Sequence, residues 1–438
     1  MERLLIYIFT ILCLVSTSIG KKGFGPGEQE WGYVEIRPNA KMFWWLFYTT
    51  ADLNKSYYDK PLIIWLQGGP GRSSSGYGNF LELGPLDMDL KPRNYTWVEN
   101  YNVLFIDNPV GSGFSYANDS SAFATTNAQI ASDLLKCIQV FYNELPQFRP
   151  VPTYIATQSY GGKMGAEFAL VWYRAQKQGT IESNLKGISL GSSWISPIDT
   201  VMNWAPFLLN TGIVDIGGYA EVNNAAQKTK KFVDAGDWKQ ATKFCGFTQA
   251  VISLASYGID VYNILDKTNY SMENRNIFFY DEDIILHRYF MPNMKKLEEL
   301  MNGPVKEALD LQIGHGNQSE EVFELLKPEF MKPAVDLVEK LLNETDLNVF
   351  IYGGQLDLLV DIAGMTVWVD NLNWKSSDIW KQGMIREPLV VDDILEGYYK
   401  RQDNFAIYWV LRAGHMVPKD NPAAMKTILE NLTSPPKV

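Results

Sequence analysis

Four short apolar runs constrain this chain more than any other feature: Leu62–Leu66, Val103–Ile106, Thr153–Ala156 and Gly187–Leu190, each ending at a Gly, Pro or polar turn. Runs of four or five apolar residues without alternation are buried on both faces, the signature of parallel strands covered by helices. Between the second and third runs, Ile130, Leu134, Ile138 and Phe141 recur at helical spacing within Thr125–Leu145 and complete a strand-helix-strand unit. Asn348–Tyr352 and Phe405–Val410 read as two further buried strands, and Tyr33–Ile36 and Met42–Tyr48 as an antiparallel pair about a turn at Pro38–Asn39. The expected fold is α/β, a central and mostly parallel sheet. Residues 196–325 break the rhythm with helical patterns interrupted by Asn, Gly and Lys. They are read as a helical insertion, or cap, over the carboxyl ends of the strands, where open α/β sheets bind ligands. It separates a first core part, 21–195, from a second, 326–438. A chain of 438 residues with 46% apolar content suits one large domain with such an insertion.

Residues 1–20 place Arg3 before the apolar run Leu4–Val15, then Ser16, Ser18 and Gly20 ahead of Lys21, the pattern of a signal peptide cleaved after Gly20. The run falls short of the ~20 residues that span a bilayer, and no other segment is long enough, so no membrane span is expected. Loss of the leader removes Cys13 and leaves Cys137 and Cys245, which fit a single bridge or two buried thiols equally well. Neither cysteine has the His or Cys neighbours of a metal site. Asn-x-Ser/Thr triplets begin at Asn54, Asn94, Asn118, Asn269, Asn317, Asn343 and Asn431, candidate glycosylation sites in a secretory protein. With 39 basic against 50 acidic residues and no basic stripe, nucleic acid is excluded as a partner. No cofactor motif is visible, and association as a homodimer is left open.

The chemistry concentrates at strand ends. Thr157-Gln158-Ser159-Tyr160-Gly161 follows one predicted strand and precedes a helix carrying Met164, Phe168, Val171 and Trp172. That is the context of a nucleophile elbow, although Thr157 replaces the usual first glycine and a helix-capping serine fits these five residues as well. Gln67-Gly68-Gly69-Pro70-Gly71 follows another strand and brings backbone N–H groups to a site without side-chain obstruction, making Gly68 and Gly69 candidate oxyanion donors. The Lys-Ser/Thr of a phosphate-binding loop is missing. Of the three histidines, His415 sits in a turn just after the last strand, where a general base can reach a nucleophile; His287 and His315 lie in the insertion. If the order is Ser, acid, His, the acid falls at the end of Asn348–Tyr352, where Asp357 is favoured over Asp361.

Trp65-Leu66-Gln67-Gly68-Gly69-Pro70-Gly71, Glu82-Leu83-Gly84-Pro85, Asp107 to Tyr116, Ser159-Tyr160-Gly161-Gly162 and Gly414-His415-Met416-Val417-Pro418, in that order, resemble the serine carboxypeptidase family. The match runs from about Trp31 to Pro422, and Leu300 to Val305 with Gly354-Gln355-Leu356-Asp357 resembles its retinoid-inducible branch. The resemblance implies an α/β-hydrolase that removes single residues from peptide or protein C-termini, secreted or lysosomal, with no cofactor. It implies Ser159 as nucleophile, His415 as base, Asp357 as orienting acid, Gly69 and Tyr160 as oxyanion donors, and Gln67, Glu82 and Gln158 as receptor for the substrate carboxylate. Three positions depart from the family pattern: Gln158 replaces a usual Glu, Gln67 a common Asn, and Arg72 a frequent Cys. An amide at 158 donates without a proton, which bears on the acidic pH dependence expected of the family. Arg72 reads as a lost disulfide or a cation near the carboxylate pocket. Two other classes compete: an acyltransferase on the same scaffold and, because of Thr157 and Gln158, a catalytically weak binding or chaperoning protein.

Overall fold

The computed structural model describes residues 21–51, 56–268 and 294–434. The leader, Asn54, Asn269 and His287 lie outside the described residues. Among the described residues eleven strands make one sheet: β1 (Gln29–Arg37), β2 (Ala40–Phe47), β3 (Leu62–Leu66), β4 (Asn102–Ile106), β5 (Tyr116–Ala117), β6 (Thr153–Gln158), β7 (Leu185–Gly191), β8 (Asn348–Gly354), β9 (Glu387–Val391), β10 (Ile394–Gln402) and β11 (Phe405–Val410). Their order is β1-β2-β4-β3-β6-β7-β8-β11-β10-β9, with β5 beside β2. The six central strands pair in parallel, while β1, β2, β9 and β10 add antiparallel flanks.

The unalternating runs are explained by the two cores they serve. In β3, Leu62, Ile64 and Leu66 enter one core and Ile63 and Trp65 the other, all fully buried. The first core is covered by α1 (Asn127–Glu144) and α2 (Gly161–Lys177). Thr126 caps α1 by accepting from the Gln129 N–H. Between β7 and β8 the described residues are largely helical: α3 (Pro197–Asn210), α4 (Ile216–Asp234), α5 (Trp238–Ala255), α6 (Met294–Leu300), α7 (Ser319–Phe330) and α8 (Val335–Glu344). A hydroxyl contact of 3.0 Å between Thr229 and Thr248 joins α4 to α5, and Thr242 Oγ1 donates to the Lys327 carbonyl of α7 at 2.8 Å. Then α9 (Ile362–Asp370) follows β8, and α10 (Pro422–Thr433) closes the second core with Ala424, Met425, Ile428, Leu429 and Leu432.

The hairpin β9–β10 escapes a reading based on apolar runs. It lies at the sheet edge, its residues are largely exposed or half-buried, and Lys400, Arg401 and Gln402 make it polar. Cys137 and Cys245 are both free and buried in the first core, so no bridge joins them, and burial pushes both thiols far above their ordinary range. Among the described residues no helix is long and apolar enough to cross a membrane.

Candidate active site

Ser159 stands between β6 and α2 with φ +58°, a left-handed conformation that a side chain adopts only when its surroundings impose it. The surroundings do so through three backbone bonds: the Ser159 N–H donates to Gly191, and its carbonyl accepts from Gly162 and Trp194, all at 3.0 Å. Thr157 is tolerated at this turn because its methyl group lies where a side chain at Gly165 would be, 2.4 Å from a built Cβ. Its hydroxyl donates to the Ser189 carbonyl at 3.0 Å. The glycine that the elbow lacks on β6 is thus supplied one helical turn into α2.

Ser159 and His415 line one cavity together with Gln67, Gly68, Gly69 and Gln158. His415 Nδ1 lies 2.8 Å from Asp357 Oδ2, with both side chains buried, and the other oxygen of Asp357 accepts from the Val360 N–H at 2.9 Å. The His415 N–H donates to the Tyr262 carbonyl at 2.6 Å, and the two rings meet edge to face at 5.0 Å. Asp361 caps α9 instead, accepting from the Gly364 N–H at 2.7 Å. Burial, with Asp357 nearby, raises its carboxyl well above the usual range. His315 is far from this role: it is buried edge to face on Phe114, and desolvation lowers it to about 3.

The loop after β3 meets the elbow closely. A Cβ on Gly68 would fall 2.7 Å from the Gln158 carbonyl oxygen and 2.8 Å from the Tyr160 nitrogen, so only glycine leaves the Tyr160 N–H accessible. Gly69, at φ +116°, borders the cavity. Tyr160 itself is anchored by ring stacking on Phe330 at 5.9 Å and by donation from its hydroxyl to Asn127 at 3.2 Å.

Gln67, Glu82 and Gln158 form one buried network. Gln67 Nε2 donates to Glu82 at 3.0 Å and to Gln158 Oε1 at 2.5 Å, and Gln158 Nε2 donates to Glu82 at 2.7 Å and to the His415 carbonyl at 3.0 Å. Desolvation pushes the Glu82 carboxyl up to about 8 against the lowering effect of Gln67. Arg72, another of the three departures from the family pattern, borders the same cavity, and its guanidinium donates to Met294 Sδ at 3.8 Å.

The rest of the lining was not foreseen: Tyr77 and Tyr262, and an apolar wall of Trp194, Phe323, Phe330 and Leu359 with the amide of Gln249 among them. Lys163, one turn after Ser159, was also missed. It is buried, donates to the carbonyls of Glu329 and Phe330 at 2.7 and 2.9 Å, and is lowered to about 7 by desolvation. A lysine on the apolar face of a helix following a nucleophile is the signal that marks it. Its two bonds fasten the end of α7, and with it Phe330, to the elbow.

Comparison with known proteins bears on what this arrangement is. The serine carboxypeptidase family profile matches residues 21–435. The chain is 42% identical over 405 residues to the retinoid-inducible serine carboxypeptidase of Rattus norvegicus, covering 90% of this chain and 89% of the relative. It is 34% identical over 463 residues to serine carboxypeptidase-like 51 of Arabidopsis thaliana, spanning 100% of both. In structure it is similar to the Saccharomyces cerevisiae prohormone-processing carboxypeptidase Kex1, with TM-score 0.76 and 21% identity over 93% of this chain and 91% of the other. The chain belongs to the serine carboxypeptidase family, and it is a serine-type carboxypeptidase with the α/β-hydrolase fold.

Proposed function

We propose that Ser159, His415 and Asp357 are the catalytic residues, and that Gln67, Glu82 and Gln158 receive the terminal carboxylate of a peptide or protein. Ser159 Oγ attacks the scissile carbonyl carbon as its proton passes to His415 Nε2, while Asp357 holds the Nδ1–H side of the ring. The N–H groups of Gly69 and Tyr160 receive the oxyanion, with Gly68 leaving them room. Collapse breaks the C–N bond, His415 returns the proton to the departing amine, and an acyl ester remains on Ser159. Water then attacks that ester as its proton passes to His415, the acyl C–O bond breaks, and His415 returns the proton to Ser159 Oγ as the shortened peptide leaves.

One contact carries the reading of single-residue release: Gln158, next to Ser159 in the chain, donates at 3.0 Å to the carbonyl of His415. The proposed carboxylate receptor is therefore tied both to the nucleophile and to the base, so a carboxylate held there belongs to the residue next to the scissile bond. Glu82, raised to about 8, is protonated at acid and neutral pH and able to donate to that carboxylate.

The segment 196–325 is read as the cap over this pocket, and the chain as a secretory protein, secreted or lysosomal, whose signal peptide is removed. Exposure of Asn94, Asn118, Asn317 and Asn343 supports glycan attachment there; Asn431 is half-buried within α10. The test is mass spectrometry of peptides incubated with the protein at pH 5, with free and amidated C-termini. Loss of one residue from the free peptide and none from the amide is expected; equal cleavage of both rejects the receptor.

A further inference from the structure

Gln249 is 3% exposed, borders the active-site cavity, and its Oε1 has no hydrogen-bond partner among the described residues. A buried amide oxygen without a partner costs free energy that folding alone does not recover, so its retention in the wall of a binding cavity points to a ligand group that completes it. Its placement is fixed. Thr242 and Gln249 are seven residues apart on α5 and share a face, and Thr242 is bonded to the Lys327 carbonyl of α7. That bond sets Gln249 beside the α7 residues Phe323 and Phe330, on the apolar wall with Trp194 and Leu359.

On the proposed reading of the site, the terminal carboxylate of the substrate lies at Gln67 and Gln158, so the acyl side of the peptide extends along the apolar wall. Aromatic rings there cover a side chain but accept no strong hydrogen bond, and the backbone N–H of the penultimate residue loses its water on entry. We propose that Gln249 Oε1 accepts this N–H and is thus a substrate-binding residue that selects peptides over acyl groups lacking an amide. Such recognition is blind to the penultimate side chain.

The experiment is a cycle of two proteins and two substrates. N-acetyl-Phe-Leu is compared with O-acetyl-phenyllactyl-Leu, in which oxygen replaces the N–H, using wild type and Gln249→Leu, with Gln249→Glu as a variant that keeps an acceptor. Wild type should lose roughly 10- to 100-fold in kcat/KM when the N–H is replaced, the range for a buried hydrogen bond left unmade. Gln249→Leu should lose a similar factor on N-acetyl-Phe-Leu and then treat the two substrates alike, and Gln249→Glu should retain discrimination. Equal sensitivity of wild type and Gln249→Leu to the replacement overturns the proposal. So does a loss in Gln249→Leu that follows the penultimate side chain, measured by exchanging Phe for Asn or Lys. Failure of wild type to release Leu from N-acetyl-Phe-Leu would sink the reading of the site itself, and this assignment with it. A melting temperature for each variant separates lost recognition from lost structure.

Discussion

Replacing Gln158 with glutamate puts a second carboxyl beside Glu82, across a contact now 2.7 Å long. On the proposed reading, a single acid in the wild-type site, raised to about 8, governs whether a negative charge faces the substrate carboxylate. Two carboxyls about 4 Å apart at an effective dielectric constant near 20 repel by ~4 kcal/mol when both ionise, or ~3 pH units between successive losses. The pair then titrates with two apparent values, one below that of Glu82 alone and one above it. Repulsion raises only the second loss; the proton shared by the singly ionised pair, a charged hydrogen bond of ~2 kcal/mol, lowers the first from about 8 to near ~pH 6.5. The sign follows: above that pH the variant carries a negative charge against the bound carboxylate, whereas the wild-type site stays neutral to about 8. Free-acid peptides should therefore lose kcat/KM from a lower pH, by ~8-fold relative to wild type at pH 7.5. Blocked esters, which bring no carboxylate, should change little. Paired pH-rate profiles on one free-acid peptide and one blocked ester decide it. Superimposable profiles, or equal changes in both substrates, would refute a carboxylate receptor at residue 158.

Other outcomes follow from the same geometry. Gly68→Ala puts a methyl group 2.8 Å from the Tyr160 nitrogen, and should lower kcat by about 10²- to 10³-fold, the loss expected for one oxyanion donor; near wild-type turnover would remove Gly68 from the oxyanion site. Thermal stability should fall from pH 5 to pH 7. Glu82 and Asp107, raised to about 8 and about 6, and Asp361, raised well above its usual range, keep protons in the native chain that the unfolded chain has lost, so their favourable neutral forms are lost as pH climbs through the native values. His315, lowered to about 3, opposes them up to its unfolded value, and Lys163, lowered to about 7, opposes them only above neutrality. Each net proton is worth ~1.4 kcal/mol per pH unit, so melting temperatures by calorimetry should drop by several degrees, and a rise would contradict the assignment of these buried acids.

What the sequence reveals depends on where the information is held. β3 and β11 coincide with their apolar runs because both faces of the central sheet are buried, leaving hydrophobicity alone to mark them. β9 and β10 carry no such mark, being edge strands with polar, solvent-facing residues. Ser159 and His415 stand at strand ends beside motifs that can be read locally. The choice between Asp357 and Asp361 is harder, since four residues separate them, and only the structure shows one bonded to His415 and the other capping α9. Gln249 and Lys163 take their environment from α7, more than sixty residues further along the chain. Nothing near them in sequence says that one would end at the cavity and the other under the carbonyls of Glu329 and Phe330.

The central claim is that Ser159, strained on its turn and facing His415 across one cavity, forms the acyl ester. Its most direct test is reaction of wild type and Ser159→Ala with a fluorophosphonate, with release of the C-terminal residue followed in parallel. Alanine keeps a Cβ at the same φ, so the variant should melt close to wild type. Wild type should bind one equivalent of label at Ser159 and lose its peptidase activity in proportion, and Ser159→Ala should neither label nor turn over. Peptide release by Ser159→Ala at a rate near wild type, or stoichiometric label on another residue, would contradict the account.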